Sequence, residues 1–329
     1  MKKLKFALIL MLILTGFSCK QIDNEKFKKL EGYAFGTSFN IAYNSSDNYT
    51  KEIDSLFHLI NKSLSTYIPN SDISKINKGD TTIIVDAYFT EVFQKAAKIY
   101  VETEGVFDPT IGVLVNAWGF GPDKTKINPD TVKVTELLEL VGFDSVELKN
   151  GKIKKENDSI YIDFNAIAKG YAVDIAGRFL RSKNVKNYLV EIGGEIRTRG
   201  QKNDSTLWKA GIENPNFDGT RSIQKVVELK DESMATSGSY RKFKTDSITG
   251  KKYVHIINPR TGYPTQSNLL SVSIISALDC ADVDGFATAI MAMPLDKAKQ
   301  FLETHPELKS FLIYSDENGN LQTYTTRNF

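Results

Sequence analysis

One helix-length run near the C-terminus constrains this chain more than any other segment. In Ala281-Asp-Val-Asp-Gly-Phe-Ala-Thr-Ala-Ile-Met-Ala-Met293, Asp284 and Thr288 fall one helical turn apart, so a carboxylate and a hydroxyl share one face of an otherwise apolar helix. An ionised Asp left unpaired among Ala, Phe, Ile and Met costs on the order of several kcal/mol. Two kinds of partner meet that demand: a Lys or Arg from elsewhere in the fold, or a hard cation that also accepts a hydroxyl oxygen, for which magnesium is the natural candidate. The spacing alone leaves both open.

The other end of the chain reads Met-Lys-Lys-Leu-Lys, then an apolar stretch from Phe6 to Phe17, then Ser18-Cys19. This is the layout of a cleaved secretory signal, too short to remain as a membrane-spanning helix. A Cys after the small Ser18 resembles a bacterial lipoprotein processing site, with Cys19 as the lipidated first residue. Residues 1–18 are therefore expected to be a signal peptide and residues 19–30, with the Lys-rich stretch Lys26 to Lys29, a solvated tether. Residues 31–329 are expected to form the folded domain. Cys280 then stands alone and no disulfide forms within the mature chain, so stability rests on the core. The formal net charge of +2 comes with no basic stripe, which argues against a nucleic-acid partner.

Periodicity predicts a strand pair across Glu31 to Tyr43, interrupted at Gly36-Thr37, then a helix with Ile53, Leu56, Phe57, Ile60 and Leu64 on one face. A second helix runs from about Ala87 to Glu104, ended by Gly105, and a Gly- and Pro-punctuated loop follows through Trp118-Gly-Phe-Gly-Pro122. A hairpin is expected at Asn150-Gly151, a strand over Ser159 to Phe164 and a helix over Ala166 to Arg181. Strands are expected at Tyr188 to Ile192, Glu195 to Arg199, Trp208 to Glu213, Ile223 to Leu229, Tyr253 to Ile257 and Leu269 to Ile275. The chain closes with the Asp284 helix, a helix over Leu295 to Thr304, and a hairpin around Glu317-Asn-Gly-Asn320. Helices and strands are segregated rather than alternating, which favours an α+β fold.

Several segments have the chemistry of a site. In Asp163-Phe-Asn-Ala-Ile-Ala-Lys-Gly-Tyr171 a strand turns straight into a helix whose N-terminus suits an anion; Lys169 adds a charge, and Ala166, Ala168 and Gly170 permit close approach of a ligand. The plain alternative is that Asp163 or Asn165 caps the helix and Lys169 points to water. His255, one of three histidines, precedes the turn Asn258-Pro-Arg-Thr-Gly262 and suits proton transfer or a structural hydrogen bond. Ala235 to Tyr240 and Ile192-Gly-Gly-Glu195 read as nests for a phosphate or ribose hydroxyl, or as plain turns. Tyr67, just past a helix, offers a ring for stacking or merely covers core.

The order of these segments carries more than any one of them. Phe35-Gly-Thr37, Ser65-Thr-Tyr67, Gly105 to Thr110 with Trp118 to Gly121, Asp163 to Asp174, Ile192-Gly-Gly194, Thr236-Ser-Gly238, His255 to Gly262 and Asp284 to Thr288 together resemble the ApbE family over essentially the whole mature chain. Its members are FAD:protein FMN transferases. The resemblance implies an ApbE-like α+β fold of largely antiparallel sheets and packed helices, with the FAD site between two lobes. It also implies a magnesium-dependent reaction in which FMN passes from FAD to a Thr or Ser hydroxyl of an exported protein and AMP leaves. Asp284, Thr288 and the Ala166 carbonyl would hold Mg2+, all oxygen ligands as that ion requires. His255 would act on the acceptor hydroxyl as base or orienting group. Phe35, Tyr67, Val106, Phe107, Asp108, Asp163, Lys169 and Ile257 would line the FAD pocket, with Arg260 or Tyr240 as extra donors. Location in the cell envelope, facing the periplasm on a lipid anchor, follows from the same reading. Phe35 stands where many relatives have Met, Asn258 where some have Asp, and Glu195 where Asp is frequent. An FAD pyrophosphatase and a non-catalytic flavin-binding lipoprotein are the competing readings.

Overall fold

A computed structural model describes residues 27–122, 131–202, 206–240, 243–245 and 252–329, with side chains left aside for 243–245, 252 and 253. The expected signal segment, residues 1–18, and Cys19 lie outside these residues. Eight strands make one antiparallel sheet: β1 (Phe27–Ala34), β2 (Thr37–Asn44), β5 (Tyr188–Ile192), β6 (Glu195–Arg199), β9 (Ser233–Gly238), β12 (Leu269–Ser276), β13 (Lys309–Ser315) and β14 (Leu321–Thr325), in that spatial order. Three small hairpins stand apart from it: β3–β4 (Val146–Lys149, Lys152–Lys155), β7–β8 (Trp208–Glu213, Ile223–Leu229) and β10–β11 (Phe243–Thr245, Lys252–Val254). The antiparallel α+β architecture is the expected one.

One face of the sheet is covered by helices. These are α1 (Thr50–Leu64), the short α2 (Asp72–Asn77), α3 (Ala87–Glu102), α6 (Ala168–Ser182), α7 (Cys280–Met291) and α8 (Leu295–Thr304). The period-3.6 stripes are the reason: α1 buries Ile53, Phe57, Ile60 and Leu64, and α3 buries Phe89, Val92, Phe93, Ala96 and Ile99, all into the main core. Helix α7 is buried around nearly its whole circumference, as its composition requires. On the opposite face the β7–β8 hairpin covers a second core of Trp208, Ile212, Leu229, Met234, Ile275 and Phe311. A third, smaller core holds Leu114, Trp118, Phe120, Val134 and Ile257, built from α4 (Gly112–Ala117), α5 (Thr131–Leu138) and the 256–263 segment. The Trp118 indole N–H pins this lobe together by donating to the Gly262 carbonyl at 2.8 Å.

Some expectations need correction. Strand β1 begins at Phe27, paired with Asn44, so sheet replaces the expected tether from that residue on. The strand expected over Ser159 to Phe164 reduces to a bridge at Tyr161, because the Asn77 side chain takes the place of a neighbouring strand: its amide donates to the Ile162 carbonyl and accepts from the Ile162 N–H, each at 2.8 Å. The strand expected over Tyr253 to Ile257 stops at Val254. Ala235 to Tyr240 is neither nest nor turn over most of its length, since Ser233–Gly238 is an inner strand between β6 and β12.

Candidate active site

Between the main core and the small lobe lies a cavity of about 880 Å³, within the range usual for cofactor-sized ligands. Its base is where α6 meets α7. Asp284 and Thr288 reach it from α7, Ala166 and Lys169 from the turn and first residues of α6. The two helices touch at Gly170, where a Cβ would sit 2.4 Å from the Cys280 carbonyl oxygen. The glycine therefore makes room for the backbone of α7, not for a ligand as its sequence context suggested. This contact brings the Gly170 N–H to Oδ2 of Asp284 at 3.0 Å. One turn along, buried Asp174 accepts the N–H groups of Cys280 and Ala281, each at 2.8 Å, satisfying two of the otherwise unpaired donors at the start of α7.

Two acidic side chains and one basic one meet at this base. Lys169 Nζ pairs with Oε1 of Glu195, the first residue of β6, at 2.6 Å, and both line the cavity with Asp284. Burial pushes the carboxyl of Asp284 up and that of Glu195 up to about 7, with the Lys169 ammonium pulling each back. Burial opposes the charge on Lys169, but the fields of Asp284 and Glu195 outweigh it and raise its pKa. Two carboxylates thus face one ammonium, and Oε2 of Glu195 is buried with no hydrogen-bond partner. Thr288 Oγ1 is hydrogen-bonded to Ser237 Oγ on β9 at 3.2 Å. Neither Asp163 nor Asn165 caps α6: Asp163 Oδ1 accepts the Asn165 N–H, and the Asn165 amide donates to Thr66 Oγ1.

The oxygen donors at this base are of the kind a hard cation takes. Among the described residues no group of three or more His, Cys, Asp and Glu side chains forms a metal cage. Magnesium needs none, being usually held through one or two carboxylates, with water and substrate phosphates completing its shell. Asp284, Thr288 and the Ala166 carbonyl are all oxygen donors, and beside them two buried acids stand against one Lys, with Glu195 Oε2 lacking a hydrogen-bond partner.

The upper walls are apolar and aromatic. Phe35 reaches the cavity from a two-residue β1–β2 turn, where it and Gly36 have φ of 52° and 74°. Such a turn normally takes Asn-Gly, so the Phe backbone is strained, and its ring packs edge-on against Phe57 with centroids 5.3 Å apart. Tyr67 stands half exposed at the mouth, its hydroxyl donating to the Phe120 carbonyl at 3.5 Å; burial and the nearby Asp163 push its phenol up. Val106 and buried Phe107 form one side, and Ile257 with His255 the side toward the small lobe. His255 lies beside the Phe120 ring, with centroids 6.4 Å apart. Asp163 and Asp108 also line the cavity, although the Asp108 carboxylate is taken up by the N–H and hydroxyl of Thr110.

Every residue expected in the flavin pocket or at the metal therefore lines one cavity, as does Tyr240. Arg260 does not. It is exposed beyond the 256–263 turn, donates to the Glu104 carbonyl at 3.0 Å and faces the Glu104 carboxylate at 3.7 Å. Sequence reasoning put Ser237 in a candidate phosphate nest but not against Thr288, and did not pair Glu195 with Lys169. The signals for Glu195 were its position next to Gly193-Gly194 and an acid's place there in the resembling family, but its pairing with Lys169 could not be read from five residues of β6.

Comparison with known proteins identifies the family. The ApbE family model matches residues 35–312. The FAD:protein FMN transferase of Haemophilus influenzae is 33% identical over 97% of this chain and 95% of its own length, and that of Vibrio cholerae is 34% identical over 91% of each. Among solved structures, the flavin transferase ApbE from Vibrio cholerae superposes with a TM-score of 0.82 at 31% identity, covering 92% of this chain and 98% of that one. The apo flavinyl transferase ApbE of Pseudomonas stutzeri gives 0.81 at 28% identity, covering 92% and 96%. The chain belongs to the ApbE family.

Proposed function

We propose that this protein is a magnesium-dependent FAD:protein FMN transferase. One observation supports the reading: segments more than a hundred residues apart, the 163–170 turn and helix α7, meet through the Gly170 N–H and Asp284, and Ala166, Lys169, Asp284 and Thr288 all line one cavity of about 880 Å³. In the reaction, the hydroxyl oxygen of a Thr or Ser on the acceptor bonds to the FMN phosphorus of FAD. The P–O bond to the bridging oxygen breaks, and AMP leaves with that oxygen.

Phosphoryl transfer depends mostly on positioning and charge stabilisation. Asp284, Thr288 and the Ala166 carbonyl would hold Mg2+, which when bound offsets charge on the diphosphate. Lys169, by the start of α6, adds positive charge on the same side. Phe35, Tyr67, Val106, Phe107 and Ile257 enclose the flavin and exclude water from it, with Asp108 and Asp163 at the polar edge. His255 stands on the side toward the small lobe, where it takes the proton of the acceptor hydroxyl or orients that hydroxyl. The acceptor is an exported protein, met at the cell envelope by an enzyme tethered through lipidated Cys19.

The test is incubation with FAD, Mg2+ and an exported flavoprotein carrying a Thr acceptor, followed by denaturing electrophoresis. A covalent fluorescent band on the acceptor supports transfer. Release of free FMN and AMP without a band would make the protein a pyrophosphatase, and retention of intact FAD would make it a binding protein.

A further inference from the structure

We infer that Glu195 acts as a decoy counter-ion: by holding Lys169 it keeps the ammonium from closing onto Asp284, and so leaves the Asp284 carboxylate free for a divalent cation. The inference rests on the cation reading given above and adds to it a positioning residue that is not itself a metal ligand.

Three observations carry it. Lys169 enters the cavity base next to two buried carboxylates, with side chains of Glu195 and residue Asp284 both nearly inaccessible to water. The Lys169 side chain is 32% exposed, and the fields of both acids, that of Asp284 first, act on its ammonium. It pairs with Glu195 at 2.6 Å, and no Lys169–Asp284 ion pair is present among the described residues. Asp284 instead takes a backbone N–H from Gly170, a partner that orients the carboxylate without cancelling its charge.

Glu195 is also held in a way that suits this role. It opens β6 directly after the Gly193-Gly194 turn and is paired in register with Ile192, so its backbone has little freedom to follow Lys169 elsewhere. Its second oxygen has no hydrogen-bond partner, so Lys169 is what the side chain holds and what holds it. Removing the Glu195 charge leaves Asp284 as the buried acid beside an ammonium that has lost its partner. The ammonium then occupies the place of the cation.

The test is a double-mutant cycle read by Mn2+ binding to the full-length protein without flavin, using electron paramagnetic resonance of the free ion. The proteins are wild type, Glu195→Gln, Lys169→Met and the double variant. Glu195→Gln is expected to weaken Mn2+ binding on the order of 30-fold, whereas in the Lys169→Met background the same change alters it by no more than about threefold. An equal loss in both backgrounds would overturn the inference, because Glu195 would then act through its own charge on the ion. Unchanged binding by Glu195→Gln would overturn it as well. If Glu195→Gln fails to fold, the comparison of Lys169→Met with the double variant still decides, since a large further loss there contradicts the decoy role. If wild type binds no Mn2+, all four proteins behave alike and the cation reading itself falls, taking this inference with it.

Discussion

The backbone N–H of Gly170 donates to Oδ2 of Asp284 across 3.0 Å, and with the two Asp174 bonds to the start of α7 it registers the turn that carries Ala166 and Lys169 against the helix that carries Thr288. The contact exists because residue 170 has no side chain: a Cβ would lie 2.4 Å from the Cys280 carbonyl oxygen and 2.9 Å from the Ala281 Cα. The clash is with backbone, which cannot rotate away. Gly170→Ala should therefore push α6 off α7, lowering stability by about 1–3 kcal/mol and weakening Mn2+ binding, although the new methyl does not line the cavity. Denaturant unfolding and metal titration on the same preparation check both effects.

Asp284→Ala should abolish turnover while leaving measurable FAD affinity. The loss in kcat is expected to be on the order of 10²–10³-fold or more, the scale seen when a group that stabilises transition-state charge is removed. Flavin binding by fluorescence quenching, set against rates of acceptor labelling, separates the two. Normal turnover by Asp284→Ala would show that the base of the cavity does not hold the metal.

His255→Ala should slow transfer by about 10²–10⁴-fold, as expected for a proton-transfer group, with a much smaller change in FAD affinity. The opposite pattern, a large loss of affinity with near-normal kcat, would make His255 a residue that holds FAD rather than one that acts on the acceptor.

Asp174 gives a pH-dependent prediction. Burial, then the nearby Asp279 carboxylate, push its carboxyl up to about 7 against the pull of the two α7 N–H groups and Arg197. A carboxyl raised on folding binds its proton more tightly in the native state, so its stabilising contribution is fully present below the unfolded-state pKa and is lost as pH rises through about 7. Asp174→Asn removes this titration and leaves one of the two α7 amides facing an N–H₂ donor, for a loss of about 1–3 kcal/mol. The difference in unfolding free energy between wild type and variant should accordingly be larger at pH 5 than at pH 8, as chemical denaturation at the two values would show.

Much of this was legible in the sequence where pattern length allowed it. The stripes of α1 and α3 name their own buried faces, and α8 has its expected bounds because Pro294 precedes it and its apolar positions keep helical spacing. Ser233–Gly238 was missed because Ser, Thr and Gly in a row look like a loop; the segment is a strand because β6 and β12 pair with it on either side. Ser159 to Phe164 failed the other way: its apolar run is buried, but a single Asn side chain supplies the bonds a neighbouring strand would have made. The chemistry of Asp284 was readable from its apolar surroundings. Its two neighbours were not, since nothing local to Lys169 or Glu195 says that they pair across the fold.

The central claim is that the 163–170 turn and α7 meet around a divalent ion that grips the diphosphate of a dinucleotide. Its most direct test is a crystal structure of the protein with FAD and Mn2+, with data collected at the manganese absorption edge. The account predicts an anomalous peak within bonding distance of the Asp284 carboxylate, the Thr288 hydroxyl, the Ala166 carbonyl and the FAD phosphates. FAD bound in the cavity with no peak at that position, or with Lys169 closed onto Asp284 in its place, would contradict it.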